Sequence, residues 1–78
     1  MEQRLSGQGY DTEAVRLLEE EALGRGMASR FWAPVRLDDG LGLYFWLRLG
    51  YRPAAAGENP WPGERPRDII AMIRVATT

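Results

Sequence analysis

The run 39-DGLGLYFWLRLGYRP-53 gathers the residues whose types could do chemistry. Leu41, Leu43, Tyr44, Phe45, Trp46, Leu47 and Leu49 put seven large apolar side chains into nine residues, and the run stops at Gly50. Tyr44 carries a phenol, a proton donor in principle. Trp46 carries an indole N–H, which donates a hydrogen bond but no proton at ordinary pH. On a helix the two rings stand about 200° apart around the axis, so one cannot take the other's place. The plain reading of Phe45, Trp46 and Leu49 is core packing, the usual fate of aromatic and leucine side chains at helical spacing.

Composition removes much of the remaining chemistry. The 78 residues make one domain and contain no cysteine and no histidine. The usual zinc sites, the cysteine nucleophile and the histidine base are therefore absent. All ten basic residues are arginine, which rules out Schiff-base chemistry. The net charge is −1 and the arginines are dispersed, so nucleic acid is not an expected partner. No apolar run reaches the roughly 20 residues of a membrane span, and no leader pattern is seen. The expectation is a soluble, cytoplasmic protein.

The elements that must position these residues follow from periodicity. Residues 1–10 are polar with two glycines and read as a loop. Residues 11–25 read as a helix, with Asp11 or Thr12 capping its first amides and Gly24 and Gly26 able to end it. Ala14, Val15, Leu18 and Ala22 form its apolar side, and Glu19, Glu20 and Glu21 read as a solvated face. Residues 29–37 alternate, with Phe31, Ala33, Val35 and Leu37 facing one way, and so predict a strand. Pro34 lacks an N–H, so part of that strand must be an edge or lie where the sheet splays open. Asp38, Asp39 and Gly40 form a turn that caps a helix over 41–49, ended by Gly50. Residues 51–56 extend as a strand, 57–68 form a loop holding Trp61, and 69–76 are apolar nearly throughout, as in a central strand covered on both faces. Trp61 reads as folding back over the sheet or as a contact site.

The segment from Arg30 to Pro53 resembles the C-terminal part of the GNAT N-acetyltransferase superfamily. There a strand and a turn precede Asn-x-x-Ala-x-x-Phe-Tyr-x-Lys/Arg-x-Gly-Phe, and this chain has Asp39, Gly42, Phe45, Trp46, Arg48, Gly50 and Tyr51 in that register. The stretch from Arg4 to Gly9 is similar to the family's Gln/Arg-x-x-Gly-x-Gly/Ala loop, whose amides bind the pyrophosphate of acetyl-CoA. Glycine lets a backbone approach closely, and free amides at a helix N-terminus attract phosphate. Gly7 and Gly9 read equally as an ordinary flexible loop. A second register, set by Val15, Ala22 and Gly26, makes Gly9 the first glycine and puts Asp11 at the second.

The resemblance implies an α+β fold: a truncated GNAT-like half domain over residues 1–78, in the order loop-α-β-α-β-β, with about three strands and two helices. It implies acetyl-CoA or CoA as cofactor, held by Arg4, Gly7, Gln8, Gly9 and Phe45. Two functions follow from it. One is transfer of acetyl to an amine. The other is a non-catalytic module that binds CoA or a protein partner, since Trp46 stands where the family has its general-acid tyrosine and the family's first half is missing. The strand before the pyrophosphate loop would have to lie ahead of Arg4, where three residues stand. An open sheet edge at the Pro34 strand leads to the further expectation of a homodimer, or of a partner that completes the sheet.

Overall fold

A computed structural model describes residues 2–5, 10–26, 29–55, 57, 58, 60, 61, 63, 64 and 66–76. Six elements follow in the order β1 (Glu2–Arg4), α1 (Thr12–Gly24), β2 (Arg30–Arg36), α2 (Gly40–Arg48), β3 (Arg52–Pro53) and β4 (Ile69–Val75). The strands make one mixed sheet in the order β1-β2-β4-β3. The class is α+β, as expected, but the sheet has four strands rather than about three.

The added strand is β1, within the stretch expected to be a loop. It runs parallel to β2, pairing Gln3 with Phe31 and Arg4 with Trp32. Glu2, Gln3 and Arg4 show no apolar alternation of their own. Their strand exists because β2 offers a ladder and because Leu5, only 1% exposed, anchors the chain in the core. At the other edge β3 is two residues long, shorter than the stretch predicted over 51–56, and contains Pro53. Short, proline-bearing strands belong at sheet edges.

Pro34 explains the shape of the opening. Leu5 N donates to Trp32 O at 2.8 Å, so the Trp32 position faces β1, whereas Leu37 N donates to Asp68 O on the β4 side. Ladder groups alternate sides along a strand, so the missing N–H of Pro34 falls on the β1 side. There β1 has already ended, while β2 continues to Arg36 paired with Ile69. The proline sits where the two parallel strands part, in agreement with the expectation from sequence.

Both helices cover one face of the sheet. Val15 and Ala22 of α1 and Trp46 of α2 pack with Phe31, Ala33, Val35 and Met72. Burial of Val15, Phe31, Val35 and Met72 contributes about 1.5–3 kcal/mol each, and the alanines less. On the opposite face Trp32, Ala71 and Ile73 are covered by Ala54 and Trp61. Trp61 meets Trp32 edge-on, with ring centroids 4.8 Å apart, so it does fold back over the sheet. Strand β4 lies between β2 and β3 with Ala71, Met72 and Ile73 all buried, which accounts for its apolar run from Ile69 to Ile73.

The helix ends follow local chemistry. Asp11 caps α1, its carboxylate accepting from Glu13 N at 3.0 Å and Ala14 N at 3.2 Å. Asp39 caps α2 by accepting from Gly42 N at 2.9 Å. Gly26 and Gly50 follow the two helices with φ of 65° and 92°, a region costly for other residues. One expectation fails within α1. Glu19 is not part of a solvated face; it is buried, because it shares the inward side with Val15 and Ala22 and finds Tyr51 and Arg74 there.

The turn after β3 is fastened by Arg52, which donates to both Glu58 carboxylate oxygens at 2.7 Å, while Ala55 N donates to Oε1 at 2.9 Å. These bonds, the Arg52 ones foremost, hold the Glu58 carboxyl at about 2, below its ordinary 4.5. A carboxyl depressed in the folded state stabilises above its unfolded pKa, and that contribution fades as pH falls through the folded one. Glu58→Gln is therefore expected to flatten the acid side of the stability curve between pH 4.5 and about 2, read from urea unfolding midpoints.

Candidate functional site

A groove of about 400 Å³ lies between α1 and α2. Tyr10, Thr12 and Arg16 come from the start of α1. Leu41, Tyr44, Phe45, Arg48 and Leu49 come from α2 and its end. Phe45 and Leu49 are half-buried and form an apolar floor, while Tyr44 is 57% exposed at the rim. The Arg48 guanidinium stands 5.7 Å from the centre of the Tyr44 ring. No described carboxylate pairs with Arg16 or Arg48. An apolar floor with two guanidiniums suits a ligand that has both an apolar arm and phosphates.

Tyr10 closes one end of this groove. Its ring packs against Phe45 with centroids 5.4 Å apart, and its hydroxyl donates to the Asp39 carboxylate. That bond raises the phenol pKa and, with the Gly42 amide, lowers that of Asp39. The arrangement needs glycine at position 42. A Cβ there would overlap the Asp39 carboxylate and stand 2.9 Å from the Tyr10 hydroxyl.

Of the residues singled out by sequence, Phe45 lines the groove. Arg4 does not. It lies on the sheet face opposite the helices, its guanidinium 5.4 Å from the Trp32 ring centre and 5.6 Å from that of Trp61. Gly7, Gln8 and Gly9 lie outside the described residues. The first amides of α1 are not bare, because Asp11 occupies those of Glu13 and Ala14. Positive charge for an anion at this end of the groove comes instead from Arg16 and Arg48. Sequence reasoning passed over both arginines, together with Tyr10 and the groove lining of Tyr44. The available signal was the circumference of α2, which carries more large apolar side chains than one sheet face can cover.

The three phenols and the indole divide sharply. Trp46 is 5% exposed and packs between Phe45 and Tyr51, with ring centroids 5.1 and 4.8 Å away. Tyr51 is buried and donates to Glu19; burial first, then that carboxylate, pushes its pKa up, so it is held protonated. Among the described residues no cluster of acidic side chains could hold a metal ion, and no helix is long and apolar enough to cross a membrane. No family model, curated protein or solved structure matches this chain.

Proposed function

We propose that the chain is a GNAT-like half domain that binds acetyl-CoA or CoA in the groove between α1 and α2. The pantetheine arm would enter where β1 and β2 part, and the phosphates would lie against Arg16 and Arg48. One observation carries this reading. A strand, β1, stands ahead of the glycine segment, runs parallel to β2 and stops at Leu5 while β2 continues. The resemblance implies a strand in that position, ahead of the pyrophosphate loop.

Acetyl transfer would follow by direct attack: the amine nitrogen bonds to the thioester carbonyl carbon, the C–S bond breaks, and the thiolate takes up the proton lost by nitrogen. A second reading, binding without turnover, is favoured by the burial of Trp46 at the position of the family's acid.

Calorimetric titration with CoA tests the proposal. Binding is expected, with an Arg16→Glu, Arg48→Glu double variant weakened at least about tenfold, since each charge-assisted bond to phosphate is worth roughly 1.5–3 kcal/mol. Absence of heat, together with absence of amide shifts at residues 4–10, would remove cofactor binding and catalysis with it. If CoA binds, thiol release from acetyl-CoA with a panel of amines separates enzyme from module, with Gly9→Glu as control.

A further inference from the structure

The groove between α1 and α2 is too small for the whole of the proposed ligand. Its volume of about 400 Å³ lies near the lower end of the roughly 300–1,000 Å³ of drug-sized ligand sites. CoA is a nucleotide joined to a long thiol arm, so part of it must lie outside. The lining decides which part. The described lining holds two guanidiniums, Arg16 and Arg48, and no carboxylate. The pantetheine arm is uncharged and gains little from them, whereas a nucleotide brings phosphates and a flat ring. Tyr44 supplies a counterpart for that ring. Phe45 is already packed against Tyr10 and Trp46, with ring centroids 5.4 and 5.1 Å away. Among the described residues Tyr44 has no such ring neighbour and stands at the rim. Arg48, one turn further along α2, sets its guanidinium 5.7 Å from the Tyr44 ring centre.

We propose that the groove holds the purine-nucleotide half of the ligand, with the base stacked on Tyr44 and the phosphates on Arg16 and Arg48. This inference takes its ligand from the reading just proposed and names the half that the groove grips. Bases stack on exposed aromatic rings and on guanidinium planes, and Tyr44 with Arg48 presents both side by side. Guanidiniums also match the geometry of phosphate oxygens. The Asp39 carboxylate, at the end closed by Tyr10, accepts from the Tyr10 hydroxyl and from Gly42 N. Tyr44 is thereby the residue that selects a nucleotide over a bare anion.

Calorimetry with adenosine 3′,5′-bisphosphate, pyrophosphate, pantetheine and CoA, each added alone, tests it. The bisphosphate should bind within about tenfold of CoA, and pantetheine should give no heat. Pyrophosphate should bind at least about fivefold more weakly than the bisphosphate, the low end of what one stacked base contributes. Tyr44 is exposed, so its truncation leaves the core in place. Tyr44→Ala should lose at least about fivefold for the bisphosphate and nothing for pyrophosphate, and Tyr44→Phe, which keeps the ring, should bind as wild type. A merely structural role for Tyr44 would move both anions together. Equal affinity for bisphosphate and pyrophosphate, or a Tyr44→Ala that binds the bisphosphate as wild type does, would overturn the inference. CoA bound without the bisphosphate would overturn it too, while leaving the CoA reading in place. The bisphosphate bound without CoA would support the nucleotide site and overturn the CoA reading. Heat from neither would remove both.

Discussion

Glu19→Ala is expected to cost about 3 kcal/mol, a large share of the roughly 4–12 kcal/mol that holds a domain of this size together. Glu19 Oε2 accepts from the Tyr51 hydroxyl at 2.5 Å and from Arg74 Nη1 at 3.1 Å. One carboxylate thus joins α1, the residue after Gly50 and β4. Removing it leaves the Tyr51 hydroxyl buried without its acceptor, which costs about 1–3 kcal/mol. The lost Arg74 pair adds less, because that side chain is 35% exposed and water screens it. Tyr51→Phe should cost about half as much, since Glu19 keeps Arg74. A double-mutant cycle in urea should give a coupling energy well above zero. Additive single losses would mean that the two residues do not act through each other.

The same network predicts a particular response to alkali. Tyr51 has its pKa raised above 10.0 in the folded state, by burial first and then by Glu19, partly opposed by Arg74. A group so raised contributes stability that is complete below its unfolded pKa and is lost as pH climbs toward the folded one. The chain has no lysine, cysteine or histidine side chain to mask this response. Stability should therefore fall above about pH 10, by at most about 1.4 kcal/mol per pH unit for this one proton. Tyr51→Phe should flatten that fall, leaving only the smaller share from Tyr10, whose phenol is also raised.

What was legible in the sequence had a local cause. The alternation of Phe31, Ala33 and Val35 needs only the two-residue repeat of a strand, and the parting of strands at Pro34 needs only its missing N–H. Asp39 and Gly50 bound α2 through cap and left-handed turn, both written within a few residues. What was not legible depends on residues far apart in the chain. Nothing in Glu2, Gln3 and Arg4 announces a strand until β2 stands beside them. Glu19 looks like its neighbours Glu20 and Glu21 until Tyr51, 32 residues on, meets it. The resemblance implies Arg4 in the phosphate loop, yet strand alternation turns it to the face of Trp32, away from Phe45. Arg16 and Arg48 became neighbours of one groove only through the packing of both helices on the same sheet face.

Trp46→Ala is expected to cost about 3–5 kcal/mol, a large share of the roughly 4–12 kcal/mol available to a domain of this size. The indole is 5% exposed and wedged between Phe45 and Tyr51, so truncation removes burial and opens a cavity beneath α2 at once. Trp46→Phe, which keeps an aromatic ring in that place, should lose far less. Circular dichroism and urea midpoints separate the two outcomes. Trp46→Tyr is the sharper variant, because it restores the residue that the resemblance implies at the acid position. The hydroxyl would enter the core on the side of Tyr51 rather than the rim where Tyr44 stands, so it would meet no acetyl-CoA bound in the groove. Thiol release by Trp46→Tyr should therefore equal that of wild type. A gain of about a hundredfold, the size of a general-acid contribution, would show that position 46 reaches the reacting atoms after all.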